Sequence, residues 1–400
     1  MDPYDYQARM TRRPMVKVAE LQKEQRLKHV IFADQIDRGL IEHLCGVADM
    51  IRTISKTKKG SLYLTDLLPH KRAMMYFTQP STRTFLSFMA ACQILGITCN
   101  EVRDRNTSSE VKGESPFDSI RMFSSYFDII IMRSNEKTFA EGCAYLMNDL
   151  ESSGQRHVPI VNGGSGSEEH PTQALLDIYT MTRTFQFSDP KDSLKWSRFD
   201  DLRKTYPGLT KGLDNKVYAF CGDIGRGRTV RSLCKLLTQY DDPTLIFIAP
   251  EIPSLRLSTE MRDSLTAAGA KVIEVSSFED IVNGKPVIEM IDCLYMTRIQ
   301  KEHNNPVDAE LLQTMDLSRY CLTLELVNRM KQYAPILHPF PRDSNFGEIP
   351  PEIDTNPRVM YFRQARNGMW IRAALIAYLF DVDSRILNHF RDYYLNPIIV

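Results

Sequence analysis

Ser81-Thr82-Arg83-Thr84 sets three hydroxyls and a guanidinium in four consecutive residues, where the apolar run "RAMMYFT" gives way to the helical pattern "TFLSFMAACQILG". Backbone N–H groups at a helix start have no intrahelical acceptor and point towards any bound anion. The hydroxyls add donors, and an arginine adds a planar fork suited to phosphate. Ordinary helix capping accounts for Ser and Thr alone. The arginine in the same turn is what points to an anion.

More cations stand where strands are expected to end. Arg133 closes "DIIIMRS", Arg298 closes "CLYMTRIQ", and Arg228 follows the glycine-rich turn "CGDIGRGRT". His170 opens "HPTQALLDIYT", with Pro171 at a position suited to a helix's first turn. Taken singly, each has a plainer role: a surface ion pair for an arginine, a structural place for the histidine. Gathered at the carboxyl ends of strands, they suggest a cleft that collects a polyanion.

"CGDIGRGRTV" also has a rival reading, since a strand, close glycines and a helix are how dinucleotide-binding folds begin. Here Gly222, Gly225 and Gly227 are spaced GxxGxG, and the turn holds two arginines. Glu251, the candidate ribose-binding acid, falls about 29 residues on, where ~20 is usual. A dinucleotide-binding oxidoreductase therefore stands as an alternative from another class. No GxxxxGK[ST] motif supports nucleotide hydrolysis.

These residues need a scaffold, and the chain supplies an alternation of short β-rich runs with helical patterns of 10–15 residues, the mark of parallel sheets with crossover helices. "RAMMYFT", "ITCNEVRD", "DIIIMRS" and "VPIVNGG" alternate with helices in one series; "KVYAFCGD", "TLIFIAP", "KVIEVS" and "CLYMTR" do so in a second. The expected fold is α/β: two doubly wound parallel-sheet domains with an interdomain active-site cleft. Residues 1–28 read as an N-terminal extension, 29–185 as the first domain, 186–215 as a polar insertion or linker, and 216–365 as the second domain. A last helix from about Gly368 to Phe380, within 366–400, is expected to return to the first domain.

Composition narrows the class. Four hundred residues, 43% hydrophobic and 25% charged, describe a globular chain with room for two cores. Lys and Arg balance Asp and Glu at 50 each, which argues against broad attraction to nucleic acid or an anionic membrane. No apolar run reaches the ~18 residues of a transmembrane helix. The N-terminal stretch lacks the apolar core of a secretory signal, while its arginines leave organelle targeting open. Cys45, Cys92, Cys99, Cys143, Cys221, Cys234, Cys293 and Cys321 lie far apart without a CxxC pair. They suit a reducing, cytoplasmic setting better than a disulfide framework or a zinc site.

In register along the chain, "PSTRT", "NTSSEVKGES", "MRS", "HPTQALLD", "GDIGRGRTV", "YMTRIQKE", "LHPFPR" and "YFRQARNGMWIRAAL" resemble the signatures of the aspartate and ornithine carbamoyltransferases, from about His29 to Phe380. That resemblance implies two substrates, carbamoyl phosphate and an amino acid, with no cofactor and no metal. It assigns a phosphate cradle to Ser81, Thr82, Arg83 and Thr84, helped by Arg133. It sets Arg133, Thr84 and His170 around the carbamoyl oxygen, so that Arg83, Thr84, Arg133 and His170 form the catalytic set. Gln173, with main-chain carbonyls near Pro339 and Phe340, would hold the carbamoyl amide. Ser108 and Lys112 would reach a neighbouring subunit's site, which implies a homotrimer and leaves room for a higher assembly with other subunits. Lys112, Arg228, Arg298 and Gln300 would take the carboxylates of L-aspartate. "HPFP" stands where an ornithine enzyme would resemble "HCLP", so aspartate is the expected acceptor. Phe85 replaces an arginine usual after "STRT", and Phe340 a common leucine. A different acceptor amine, and a non-catalytic scaffold relative, remain the alternatives within this likeness.

Overall fold

A strand covered by helices on both faces has no polar side to present. Accordingly Ala73–Phe77 and Ile129–Arg133 are buried at every position. They belong to a computed structural model that describes residues 5–23, 26–104, 112–166, 169–187, 199–300, 306–343 and 347–395. The chain divides into two units, Met1–Leu176 with Arg366–Val400, and Asp177–Ala365.

The first unit is built on strands β1 (Arg72–Phe77), β2 (Thr98–Val102), β3 (Ile129–Arg133) and β4 (Ile160–Asn162), all parallel, in the order β2-β1-β3-β4. The second is built on β5 (Val217–Cys221), β6 (Thr244–Ile248), β7 (Lys271–Val275), β8 (Cys293–Met296) and β9 (Ile336–Leu337), again parallel, in the order β9-β8-β5-β6-β7. This is the parallel α/β class expected from the alternation. The two sheets share a device at their amino ends. Asp128, just before β3, accepts the Arg72 N–H at 2.9 Å; Asp292, just before β8, accepts the Val217 N–H at 2.7 Å. Each carboxylate ties the starts of two neighbouring strands together, so that register is set at one end and the loops at the other are free to vary.

Three segments differ from the sequence expectation or add to it. The helix expected to be the last runs Tyr361–Leu379, begins well before Gly368, and is followed by a further helix, Asp383–Phe390. Gly368 reads as a helix start because glycine weakens helices. In the structure it is interior, and a Cβ there would meet the Ser87 hydroxyl and the Arg372 guanidinium. The stretch 199–205 of the polar insertion forms a helix with Leu202 buried, and Leu209 and Leu213 beyond it are buried too.

The N-terminal extension forms two short helices, Gln7–Met10 and Pro14–Glu20. Tyr6 lies edge-on to Phe117, its ring 6.0 Å from that of Tyr145. The Arg9 guanidinium sits over Tyr145 and reaches Asp149 at 2.8 Å. Lys17 pairs with Glu141 at 2.9 Å. The helix so covered, Phe139–Ser152, is buried at eleven positions, the burial of a core helix rather than a surface one.

A buried histidine makes this unit acid-sensitive. His29 is wholly buried; its Nδ1 accepts the Ile160 N–H at 2.9 Å, which leaves the proton on Nε2 to face Asn148 Oδ1 at 3.3 Å. Burial, then the neighbouring His157, hold its pKa well below the ordinary value. The folded state thus refuses a proton that the unfolded chain accepts below about pH 6.5. The stabilisation is full above that pH and declines below it, by up to about 1.4 kcal/mol per pH unit. Urea midpoints between pH 7.5 and 5.5 are expected to show this slope, and His29→Gln to flatten it. Equal slopes in the two proteins would contradict the assignment.

Candidate active site

In a doubly wound sheet, ligands gather where neighbouring strands send their crossovers to opposite faces, beyond the carboxyl ends. In the first unit that point lies between β1 and β3. The "STRT" turn follows β1, and Arg133 is the last residue of β3, register partner of Phe77. The Gln79 N–H donates to the Arg133 carbonyl at 3.1 Å, tying the two loops. Helix Thr82–Ile94 starts here with Ser81 as its N-cap residue, yet the Ser81 side chain makes no capping hydrogen bond. Asp37, Thr57, Ser115, Ser258 and Thr323 all do cap their helices. The capping account of the "STRT" hydroxyls therefore fails at Ser81, and the anion account gains. Thr84 is buried, while Thr82 and Arg83 are exposed at the tip.

Arg133 is 9% exposed and His170 3%. Gly164 shows how near they stand: a Cβ on it would meet the His170 ring at 2.6 Å and Arg133 Nη1 at 2.9 Å, and its φ is +97°. Only glycine suits that position. Arg133 Nη1 donates to the Gly163 carbonyl at 3.2 Å, and Asn162 Oδ1 accepts the N–H groups of Gly164 and Ser165. Helix Pro171–Gln186 then carries Gln173, also buried. Arg372, 2% exposed, braces the cluster from behind, donating to Ser87 Oγ at 2.7 Å and to Thr172 Oγ1 at 3.5 Å. It thereby links the helix after "STRT" to the helix after His170. Phe85, where an arginine is usual, turns inward and packs edge-on against Phe77.

The second unit has its own reversal between β5 and β8. Residues 222–227 follow β5, and Thr297–Gln300 follow β8. Asp223, fully buried, joins them: its N–H donates to Thr297 Oγ1 at 3.0 Å, and its carboxylate accepts the Gln300 N–H at 3.2 Å. Arg226 closes on the same carboxylate at 2.8 Å. Arg228 opens the helix Arg228–Leu237 after the first loop, Arg298 and Gln300 lie on the second, and all three are half-buried. Burial pushes the Arg228 guanidinium down to about 10, a penalty on the charged form that an anionic ligand offsets. Pro339 and Phe340 follow β9, the neighbour of β8. The Phe340 ring packs against His338, Tyr361 and Phe362.

The glycines of "GDIGRG" serve the protein's own backbone. A Cβ on Gly222 would collide with the Thr297 carbonyl, on Gly225 with the Ser254 carbonyl, and on Gly227 with the Asp223 carbonyl. Glu251 accepts from Ser276 Oγ at 2.8 Å. Nothing in this turn reserves the glycines for a pyrophosphate.

Of the residues expected at the site, in the first unit Arg133 and His170 meet at Gly164; Ser81, Thr82, Arg83 and Thr84 open the helix after the neighbouring strand, and Gln173 lies in the first turn of the helix after His170. Arg228, Arg298, Gln300, Pro339 and Phe340 follow adjacent strands of the second. Lys112 is exposed; Ser108 lies outside the described residues. Among the described residues no three of His, Cys, Asp and Glu are grouped to hold a metal. Gly164, Asp223 and Arg372 escaped the sequence reading. The only signal for Gly164 is the doublet in "VNGGS", and for Asp223 its place directly after Gly222.

Comparison with known proteins covers both units. Residues 28–183 match the aspartate/ornithine carbamoyltransferase carbamoyl-P binding domain, and residues 214–379 the Asp/Orn binding domain of the same family. The chloroplastic aspartate carbamoyltransferase of Arabidopsis thaliana is 34% identical over 89% of this chain and 79% of its own length. The aspartate carbamoyltransferase catalytic subunit of Methanosarcina acetivorans is 34% identical over 88% of this chain and 96% of its own. A solved aspartate transcarbamoylase from Trypanosoma cruzi, in complex with carbamoyl phosphate and aspartate, is 28% identical, covers 90% of this chain and 97% of its own, and superposes with a TM-score of 0.71.

Proposed function

The chain belongs to the aspartate/ornithine carbamoyltransferase family, and from that premise we infer that its reaction is the aspartate one. It transfers the carbamoyl group of carbamoyl phosphate to the amine of L-aspartate, giving N-carbamoyl-L-aspartate and phosphate. The observation that carries this reading is the chemistry of the two strand reversals. One offers a helix start whose N-cap hydroxyl makes no capping bond, after the strand next to the one that ends in Arg133, with His170 near that arginine, suited to a phosphate. The other offers Arg228 at a helix start and Arg298 and Gln300 on a loop, the two segments joined by Asp223, suited to a dicarboxylate. Ornithine would bring an ammonium to that pair of guanidiniums, and like charges repel.

In this account Ser81, Thr82, Arg83 and Thr84 cradle the phosphate. The neutral amine attacks the carbamoyl carbon and an N–C bond forms. Charge builds on the carbonyl oxygen, where Arg133, Thr84 and His170 donate, and stabilisation there lowers the barrier more than substrate binding alone. The C–O bond to phosphate then breaks, and the amine proton passes to the departing phosphate. Gln173 and the Pro339 and Phe340 carbonyls hold the carbamoyl amide. Ser108 and Lys112 act in a neighbouring subunit's site, which makes the chain a homotrimer; a fully active monomer would contradict that. The free state of all eight cysteines supports residence in a reducing compartment such as the cytoplasm, and no helix among the described residues is long and apolar enough to cross a membrane.

Two results test this reading. N-(phosphonacetyl)-L-aspartate, which joins a phosphonate to the dicarboxylate, is expected to stabilise the protein by about 4 kcal/mol at a thousandfold excess over its Kd, where phosphonoacetate alone does far less. No shift with the joined compound would count against it. Arg298→Ala and Arg228→Ala are each expected to raise the half-saturating aspartate concentration about 10- to 100-fold, the worth of a hydrogen bond to a charged group. Affinity for carbamoyl phosphate should hold. An unchanged half-saturation would refute the assigned roles.

A further inference from the structure

Five buried polar side chains run through the second unit to the turn after β9. Tyr295 donates to Asp177 Oδ2 at 2.8 Å, and Gln364 Nε2 donates to Asp177 Oδ1 at 2.6 Å. Gln364 Oε1 accepts the His338 N–H at 2.9 Å. The His338 ring then bridges two partners, the Phe340 N–H at 2.8 Å from Nδ1 and Glu348 Oε1 at 3.0 Å from Nε2. An amide N–H can only donate, so Nδ1 accepts and the ring proton sits on Nε2, facing Glu348. Glu348 also accepts the Asp343 N–H with both oxygens at 3.1 Å. Tyr295, Asp177, Gln364, His338 and Glu348 are each at most 1% exposed.

The chain ends on a backbone that cannot hold itself. Phe340 has φ +58°, the left-handed region that a bulky aromatic residue avoids. Such a residue persists only where its surroundings over-determine it, and such places cluster at ligand sites. The His338 Nδ1 atom captures the Phe340 N–H two residues on, a contact that supports this conformation. Gln364 holds the His338 backbone N–H, and Glu348 holds the ring at Nε2. Five polar groups committed in a core are costly unless every one is satisfied, and here each has a named partner.

We propose that His338 is a positioning residue which, through Nδ1, holds the Pro339–Phe340 turn so that its carbonyls accept the NH2 group of carbamoyl phosphate. Its imidazole takes no proton from the substrate. This rests on the functional reading above and adds to it the element that distinguishes a carbamoyl group from an acyl group. Acetyl phosphate tests it, because a methyl replaces the NH2 group and nothing else changes. A site built to receive an N–H donor rejects the analogue that lacks one.

The experiment uses the full-length protein and two side-chain mimics. His338→Asn keeps an acceptor near the Nδ1 position and gives up the Glu348 bond. His338→Gln keeps a donor near the Nε2 position and gives up the Phe340 N–H. The dissociation constants of carbamoyl phosphate and acetyl phosphate are compared in each, with inorganic phosphate as a third ligand. The wild type is expected to prefer carbamoyl phosphate by at least about tenfold. His338→Asn should keep that preference within about threefold. His338→Gln should bring it close to unity and lower kcat by about 10²-fold, as expected for a misplaced contact, with inorganic phosphate affinity unchanged. Retention of the preference in both variants, equal loss in both, or a parallel loss of affinity for all three ligands would each overturn the proposal. A wild type that carbamoylates no amine would overturn the functional reading itself; an active wild type with two unaltered variants would overturn this inference alone.

Discussion

Replacing Arg133 by alanine is expected to lower kcat by about 10²–10³-fold, the usual loss when one preorganised oxyanion donor is removed. Arg133 is buried at the carboxyl end of a central strand, with one Nη group spent on the Gly163 carbonyl. A glycine with φ +97° separates it from the His170 ring. A guanidinium has five donors in a fixed fork, so one edge can hold the loop while another faces a ligand. Lysine has no such fork, and Arg133→Lys is expected to recover little of the activity. Burial in a low-dielectric site strengthens whatever charge Arg133 meets. Steady-state kinetics with saturating aspartate, checked by an unaltered melting curve, measures the effect. A variant that turns over within threefold of wild type would remove Arg133 from the mechanism.

The largest expected effect on stability lies outside both regions matched to the family, at Lys17. Its ammonium meets Glu141 at 2.9 Å and sits 4.7 Å from the centre of the Phe32 ring. Glu141 is 2% exposed and also accepts the Tyr145 hydroxyl at 2.8 Å. Removing the cation of a buried pair leaves a carboxylate deprived of its counter-charge, which costs ~3–5 kcal/mol. Lys17 keeps some access to water, so Lys17→Met should fall near the lower end, about 3 kcal/mol. Adding Glu141→Gln should restore most of the loss, because a neutral amide needs no counter-charge. Urea unfolding of the two variants tests this. If Lys17→Met leaves the midpoint in place, the extension is not anchored by this pair. The N-terminal segment is then held to the first unit by its other contacts, the Arg9–Asp149 ion pair and the burial of Tyr6 and Leu21.

The fold was legible because its strands are short apolar runs with chemistry at their carboxyl ends. "DIIIMR" and "CLYMTR" declare both the buried strand and the cation that leaves it. Even the paired aspartates are visible in hindsight, each directly before such a run, in "FDIII" and "IDCLYM". What escaped the reading depends on contacts distant in sequence. Gly368 looks like a helix boundary until Arg372 and Ser87 are seen beside it. Asp223 looks like one more turn residue until it captures the Gln300 N–H, 77 residues on. His338 sits in "LHPFPR" as the residue before a proline, and nothing local reveals that Gln364 holds its backbone N–H and Glu348 its ring. The N-terminal extension has no strong periodicity of its own, and its helices form where a neighbouring helix receives them. Charge at strand ends is a local signal; positioning is a tertiary one.

This chain moves a carbamoyl group onto aspartate. Phosphate release from carbamoyl phosphate, corrected for spontaneous breakdown, tests it most directly when run with L-aspartate, with L-ornithine and with no amine. Release is expected with aspartate alone, matched mole for mole by N-carbamoyl-L-aspartate. Release of equal size with ornithine, or none above background with aspartate, would contradict it.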